Sequence, residues 1–291
     1  MASTKPTILI QLDTDPQPSV FDGVVAVDSG VDFLFRHSGV TPENVRDLIY
    51  GALFTRGGDD LSHSALFIGG SDVAAGEAVL AAVKRVFFHT FRVSVLFDAN
   101  GSNTTAAAAV LAALEGMGGD LKGVSTAVLA ATGPVGQRVA RLLGQLGATV
   151  AVGSRRIDRA IVVADILQNA HGGVFCPFST ADADSTLKGI ENAEVVVAAG
   201  ASGVTLMNAA TRGSLKALKV AIDLNAVPPL GIEGVGAIDK GAALDGLRVW
   251  GALGVGGTKM KIHKRAIQDL FTTNDKVLDA EEVLAIGRSL S

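Results

Sequence analysis

Short aliphatic runs alternate along this chain with longer stretches of helical periodicity. Turns rich in Gly, Asn, Asp and Pro separate them. Residues 7–12 read as a buried strand and 19–30 as a helix that Ser19 can cap. Thr41-Pro42-Glu43-Asn44 reads as a helix start, with Thr41 as N-cap and Pro42 in the first position. A short strand at 66–69 precedes a helix over 71–87, and 92–97 is the next strand. After it comes the turn 100–103, where Asn103 can cap the alanine-rich helix 104–117.

The second half repeats the rhythm. Residues 125–129 form an apolar run that stops at Ala131-Thr132-Gly133-Pro134-Val135-Gly136. An amphipathic helix follows, then a strand at 149–153 that ends in Ser154-Arg155-Arg156. A helix at 159–170 and strands at 194–199, 219–224 and 248–253 continue the alternation. Residues 269–279 read as a polar loop and 280–290 as a final amphipathic helix that packs back on the first domain. The pattern predicts an α/β protein: a Rossmann-type doubly wound parallel sheet, residues 113–269, plus a smaller α/β domain made of 1–112 and 270–291.

Composition changes little in that picture but narrows it. Hydrophobic residues are 48% and charged ones 19% of the 291, with 35 glycines, as parallel strands buried on both faces require. Charge or glycine interrupts every apolar stretch before the ~20 residues of a membrane span. Net charge is −4 and no basic patch is dense enough for nucleic acid. The single Cys176 rules out an internal disulfide and an all-cysteine metal site, and the five histidines lack metal-ligand spacing. The N-terminal stretch lacks a signal peptide's apolar core, so a cytoplasmic protein is expected.

The turn at 131–136 carries the chemistry. A helix N-terminus offers unpaired N–H groups to a diphosphate, and glycines let the backbone come close. Gly133 and Gly136 occupy the second and third glycine places of G-x-G-x-x-G; Ala131 replaces the first, which demands an ordinary negative φ there. Thr132, Pro134 and Val135 complete the candidate cofactor turn. At the end of the second strand NAD-selective proteins place a carboxylate. Here Ser154, Arg155 and Arg156 stand there instead, and guanidinium forks suit a 2′-phosphate, so the expected cofactor is NADP. Ligands of open α/β sheets sit beyond the carboxyl ends of the strands. That rule adds Asp13, Asp15, Asp98, Asn100, the turn Gly200-Ala201-Ser202-Gly203, Asp223, Asn225 and the segment 254–261.

The segments QLDTDPQPSVFD (11–22), VTPENV (40–45), FTRGG (54–58), FIGGSDVAAGE (67–77), FRVSVLFDANGSNTTAAA (91–108), ATGPVG (131–136), DLNAVPPLGIEG (223–234) and GALGVGGTKMKIH (251–263) span the chain. Together they resemble the NADP-dependent methylene-tetrahydromethanopterin dehydrogenases of C1-metabolising bacteria. The architecture implied is that of the methylene-tetrahydrofolate dehydrogenases. Their Tyr-x-x-x-Lys is missing, since Phe54 follows Tyr50 at that spacing, which counts against a coupled cyclohydrolase.

The resemblance implies hydride transfer from a methylene group, bridging two nitrogens of a reduced pterin, to NADP+. It implies no nucleophile and no metal. Lys259 would contact the pterin, with Lys261 as the alternative, and Asp22 would face it; a surface lysine and a helix-dipole partner are the plainer readings. Asp13 and Asp15 would bind substrate or form an Asx turn before Pro16, and Asp98, Asn100 and Asn103 would read the pterin edge or build the turn. Asn225 would approach the nicotinamide, and Gly200 and Ala201 its ribose. A homo-oligomer, with a trimer suggested, is a further implication. Two other functions stay open: an NADP-dependent methylene-tetrahydrofolate dehydrogenase, and a non-catalytic NADP(H)-responsive binding protein.

Overall fold

The computed structural model describes residues 5–290. In chain order the elements are β1 (Ile8–Asp13), α1 (Val20–Asp28), β2 (Phe33–His37), α2 (Val45–Phe54), β3 (Ser64–Gly69), α3 (Val73–Val86), β4 (Ser94–Phe97) and α4 (Ser102–Gly116). Next come β5 (Ser125–Leu129), α5 (Pro134–Gln145), β6 (Thr149–Ser154), α6 (Ile157–His171), β7 (Val174–Ser179), α7 (Ala183–Ile190), β8 (Val195–Ala198) and α8 (Ala209–Ser214). The chain ends with β9 (Val220–Asp223), β10 (Lys240–Leu244), β11 (Leu247–Trp250), α9 (Ala252–Asp269), β12 (Val277–Leu278) and α10 (Ala280–Ser289). Two compact units result: the chain up to Thr104 with the part from Met260 onward, and Thr105–Lys259.

In the first unit a parallel sheet runs in the order β12-β4-β3-β1-β2. β3 is buried on both faces because helices cover both, and Leu66, Ile68, Val79, Val83, Val95 and Phe97 share its core. The tail does join this unit, but through strand pairing: Val277 and Leu278 lie beside Val95 and Leu96 of β4, inside the segment expected to be loop. Ser19 caps α1 as expected, its Oγ accepting the Asp22 N–H at 3.3 Å. The cap of α2 differs from expectation. Thr41 begins a turn, its N–H donating to Asn44 Oδ1 at 2.8 Å, and the helix starts at Val45. Asn103 is likewise not a cap. It sits within α4, and Asp98 Oδ1 takes the N–H groups of Asn103 and Thr104 at 2.9 and 3.0 Å. A charged carboxylate meets two orphan amides better than a neutral amide meets one.

The second unit holds the order β10-β11-β9-β8-β5-β6-β7. Read from β7 to β11 this is the 3-2-1-4-5-6 order of doubly wound dinucleotide folds, with its switch point between β5 and β8. All pairs are parallel except β10–β11, a hairpin closed by Asp245-Gly246, both at positive φ. Pro177 lies in the rim strand β7. The strand expected over 248–253 ends at Trp250, and the glycine-rich 254–261 segment forms the body of α9.

Glycine inside α3 illustrates how tightly helix meets sheet. A Cβ on Gly76 would stand 2.8 Å from the Phe97 ring and 3.0 Å from the Ala99 methyl. In an open helix Gly→Ala gains about 1 kcal/mol. Here overpacking reverses the sign, and Gly76→Ala is expected to cost about 1–3 kcal/mol. Urea unfolding checks this, and an unchanged or raised midpoint refutes it.

Candidate active site

β5 ends in an abrupt turn. Ala130 takes a left-handed φ of 57°, and the Ala131 N–H donates to Gly153 O of β6 at 2.8 Å. Ala131 itself has no positive φ, as its Cβ requires. The strained position lies one residue earlier than the glycine pattern suggests, at about 1–2 kcal/mol for a residue with a Cβ. Gly133 caps α5 and Pro134 opens it. The Gln137 side chain and N–H close the turn on Thr132 O and Gly133 O at 2.8 and 3.0 Å. First-turn amides of a helix have no acceptor within it, which here leaves Val135 and Gly136 facing outward. A Cβ on Gly136 would lie 2.7 Å from Ala130 O and 2.8 Å from Ala131 Cα, both backbone. On Gly133 it would meet only Ala130 O, at 3.6 Å. Gly136 therefore sets how closely helix and strand approach, and Gly133 keeps the turn open above. These residues fit a dinucleotide pyrophosphate.

At the end of β6 the arginine pair divides. Ser154 is buried, and its Oγ accepts the Arg156 N–H at 3.2 Å. Arg155 lines a pocket of about 380 Å³ shared with Leu129, Thr180, Asp182, Leu206 and Asn208. Arg156 turns to Asp158 instead, with Nη2–Oδ2 at 2.6 Å and Nε–Oδ1 at 3.3 Å. That hydrogen-bonded pairing lowers the Asp158 carboxyl pKa and raises that of the guanidinium.

The ends of β8 and β9 are built differently. Gly200 packs under Leu206, with Ala201 and Ser202 exposed beyond it, and Gly203 has φ 75°. Asp223 is buried, and this desolvation pushes its carboxyl above the ordinary range despite hydrogen bonds from the Asn225, Ile232 and Gly231 amides. Asn225 Oδ1 accepts the Val227 N–H at 2.9 Å, and its Nδ2 donates to Pro229 O at 3.0 Å. Its side chain thus shapes the loop that contains the cis Pro228–Pro229 bond.

In the first unit Asp13, Asp15, Asp22 and Asp98 gather at the carboxyl ends of β1, β3 and β4. Asp13 is buried and accepts from the amides of Asp15 and Ser19 and from Gln11 Nε2. Asp15 spans to Ser71, accepting its N–H at 3.0 Å and its hydroxyl at 2.9 Å. Asp98 also takes the Thr104 hydroxyl at 2.6 Å. Asn100 is exposed with φ 54°, and its N–H donates to Gly70 O. Asn103 Nδ2 donates to Phe97 O and to Asp279 Oδ1 at 2.7 and 2.9 Å. Asp22, half-buried on α1, brings Oδ2 to 3.6 Å of the place a Gly69 Cβ would take; Asp13 Oδ2 is at 3.3 Å. Lys259 and Lys261 lie on α9, the first half-buried and the second exposed. They are two residues apart and so face different ways. Lys259 shares a helix face with His263, which is buried and stacked on Phe67 at 5.6 Å.

Comparison with known proteins decides the family. Residues 20–100 match the model of the N-terminal part of methylene-tetrahydromethanopterin dehydrogenase. The bifunctional protein MdtA of Methylorubrum extorquens is 43% identical over 284 residues, 98% of this chain and 99% of that one. The NAD(P)-dependent methylenetetrahydromethanopterin dehydrogenase of the same organism is 31% identical, over 96% of this chain and 94% of its own. The chain belongs to the methylene-tetrahydromethanopterin dehydrogenase family. Among solved structures, shikimate 5-dehydrogenase from Listeria monocytogenes aligns over 100% of this chain and 98% of its own, with a TM-score of 0.53 at 14% identity. Quinate dehydrogenase from Corynebacterium glutamicum reaches 0.50 at 15%, over 98% and 99%. These two show the fold alone.

For a dehydrogenase of this family the sequence reading missed Thr180, Asp182 and Asn208, which line the pocket beside Arg155. Asp182 and Asn208 carry a detectable signal: each is the side-chain cap of a short helix, α7 or α8. Gly136→Ala must push α5 away from β5. We expect a stability loss of about 1–3 kcal/mol and weakened dinucleotide binding. Calorimetric titration that shows wild-type affinity sinks this account of the turn.

Proposed function

We propose that this protein moves a hydride from methylene-tetrahydromethanopterin to NADP+, yielding methenyl-tetrahydromethanopterin and NADPH. The observation that carries the reading is full-length membership in the dehydrogenase family, joined to a backbone cradle that only glycine permits at 136. NADP+ when bound supplies the hydride acceptor. The methylene carbon gives up two electrons with the hydride, and its flanking nitrogens share the positive charge left behind. No proton has to be transferred, so the protein's task is placement, exclusion of water and electrostatics.

Each residue then has a role suited to its surroundings. Val135 and Gly136 offer amides to the pyrophosphate, with Thr132, Gly133 and Pro134 forming the turn. Arg155 meets the 2′-phosphate, with Ser154 and Arg156 beside it. The segment with Gly200 and Ala201 follows the nicotinamide ribose, and Asn225 holds the loop that approaches the ring. Asp22 supplies negative charge towards the developing cation. Asp13, Asp15 and Asp98 act by holding the loops that carry the pterin contacts, since their oxygens already serve backbone donors. Asn100 and Asn103 border the same loop. Lys259 contacts the pterin; the exposed Lys261 stands as its alternative.

Steady-state kinetics with methylene-tetrahydromethanopterin and methylene-tetrahydrofolate, each crossed with NADP+ and NAD+, test the reading. The highest kcat/KM is expected for the first pterin with NADP+. Absence of turnover with either pterin overturns it. Lys259→Ala is expected to lower kcat/KM for the pterin by at least about tenfold, equivalent to about 1.4 kcal/mol, while NADP+ affinity holds. An unchanged kcat/KM removes Lys259 from the site.

A further inference from the structure

The two arginines after β6 are not equivalent. Arg155 lines the pocket, and the ion pair beside it is made by Arg156 with Asp158. Arg156 presents its fork to Asp158, with two contacts on the two carboxylate oxygens. The same fork geometry suits a phosphate, and one guanidinium edge cannot serve both. Asp158 has local reasons to stay where it is. It lies in the first turn of α6, where the helix dipole favours a carboxylate, two residues from its partner.

We propose that Asp158 is a specificity-determining residue for the dinucleotide: it engages Arg156 and leaves Arg155 as the arginine that meets the 2′-phosphate. The proposal rests on the NADP reading above. Asp158 does not touch the cofactor; it sets how much of the arginine pair the extra phosphate can recruit. By engaging the Arg156 fork, the pairing restrains NADP+ preference relative to what two free guanidinium groups give. Both partners are exposed, and solvent screens their attraction, so the expected effect is moderate.

Calorimetric Kd values for NADP+ and NAD+ at low ionic strength test this, using the wild type, D158N, R156A, the double variant and R155A. D158N is expected to tighten NADP+ about three- to tenfold, with NAD+ changed less than about twofold. In the R156A background the same substitution is expected to do nothing. An unchanged NADP+ Kd in D158N overturns the proposal. So does a gain that persists without Arg156, because simple loss of a negative charge then explains it. R155A separates the two layers: it is expected to weaken NADP+ at least about tenfold and NAD+ little. Equal losses in R155A defeat the 2′-phosphate reading itself, whereas a selective loss with a silent D158N defeats only the role of Asp158.

Discussion

The approach of α5 to β5 at Gly136 is the constraint on which the nucleotide unit depends. The backbone of one element lies where a side chain of the other would be, 2.7 Å from a carbonyl oxygen. That contact holds the helix N-terminus low over the strand end, so its free amides converge at the switch point between β5 and β8. The neighbouring pocket then opens between the ends of β5 and β6 and the loops after β7 and β8. Ala130 accepts a left-handed conformation so that the chain can turn this sharply.

The first unit solves a different problem with acidic residues. Parallel strands end with amides that the following loops must satisfy. Asp13 and Asp98 are buried and do this directly, and Asp15 links the loop after β1 to the loop after β3. Most of the carboxyl groups at these strand ends thus build the loops. Asp22 differs in being carried on a helix and in standing beside Gly69, where the absence of a side chain leaves room.

Legibility in the sequence followed burial. β1, β5, β6, β8 and β9 lie in apolar runs, and their amphipathic neighbours show helical periodicity, so the dinucleotide unit could be recognised from the residues around ATGPVG. β2 was hidden because it is a rim strand whose Phe33, Phe35 and Arg36 face outward. β7 was hidden by Pro177 and its exposed neighbours. The β10–β11 hairpin had a readable Asp-Gly turn. The sequence reading gave α9 no element, since glycines interrupt its helical pattern, and Gly254 is needed where its Cβ would strike the Asp239 carbonyl. The segment GSRR (153–156) pointed to a phosphate, but nothing in the order of residues could reveal that Arg156 turns to Asp158. That depends on a local side-chain competition which only three dimensions express.

The rims of the two sheets carry a consequence for the protein as a solute. An open parallel sheet exposes a row of donors and acceptors to which any stray strand can add. Pro177 removes a donor from the β7 rim, and the other rim ends in a strand of reversed direction with an irregular register at Lys240 and Ala242. On the smaller sheet, Arg36 of β2 folds its guanidinium over the start of α1, onto Pro18 O and Ser19 O. These features blunt the addition of a further strand at the rims that carry them.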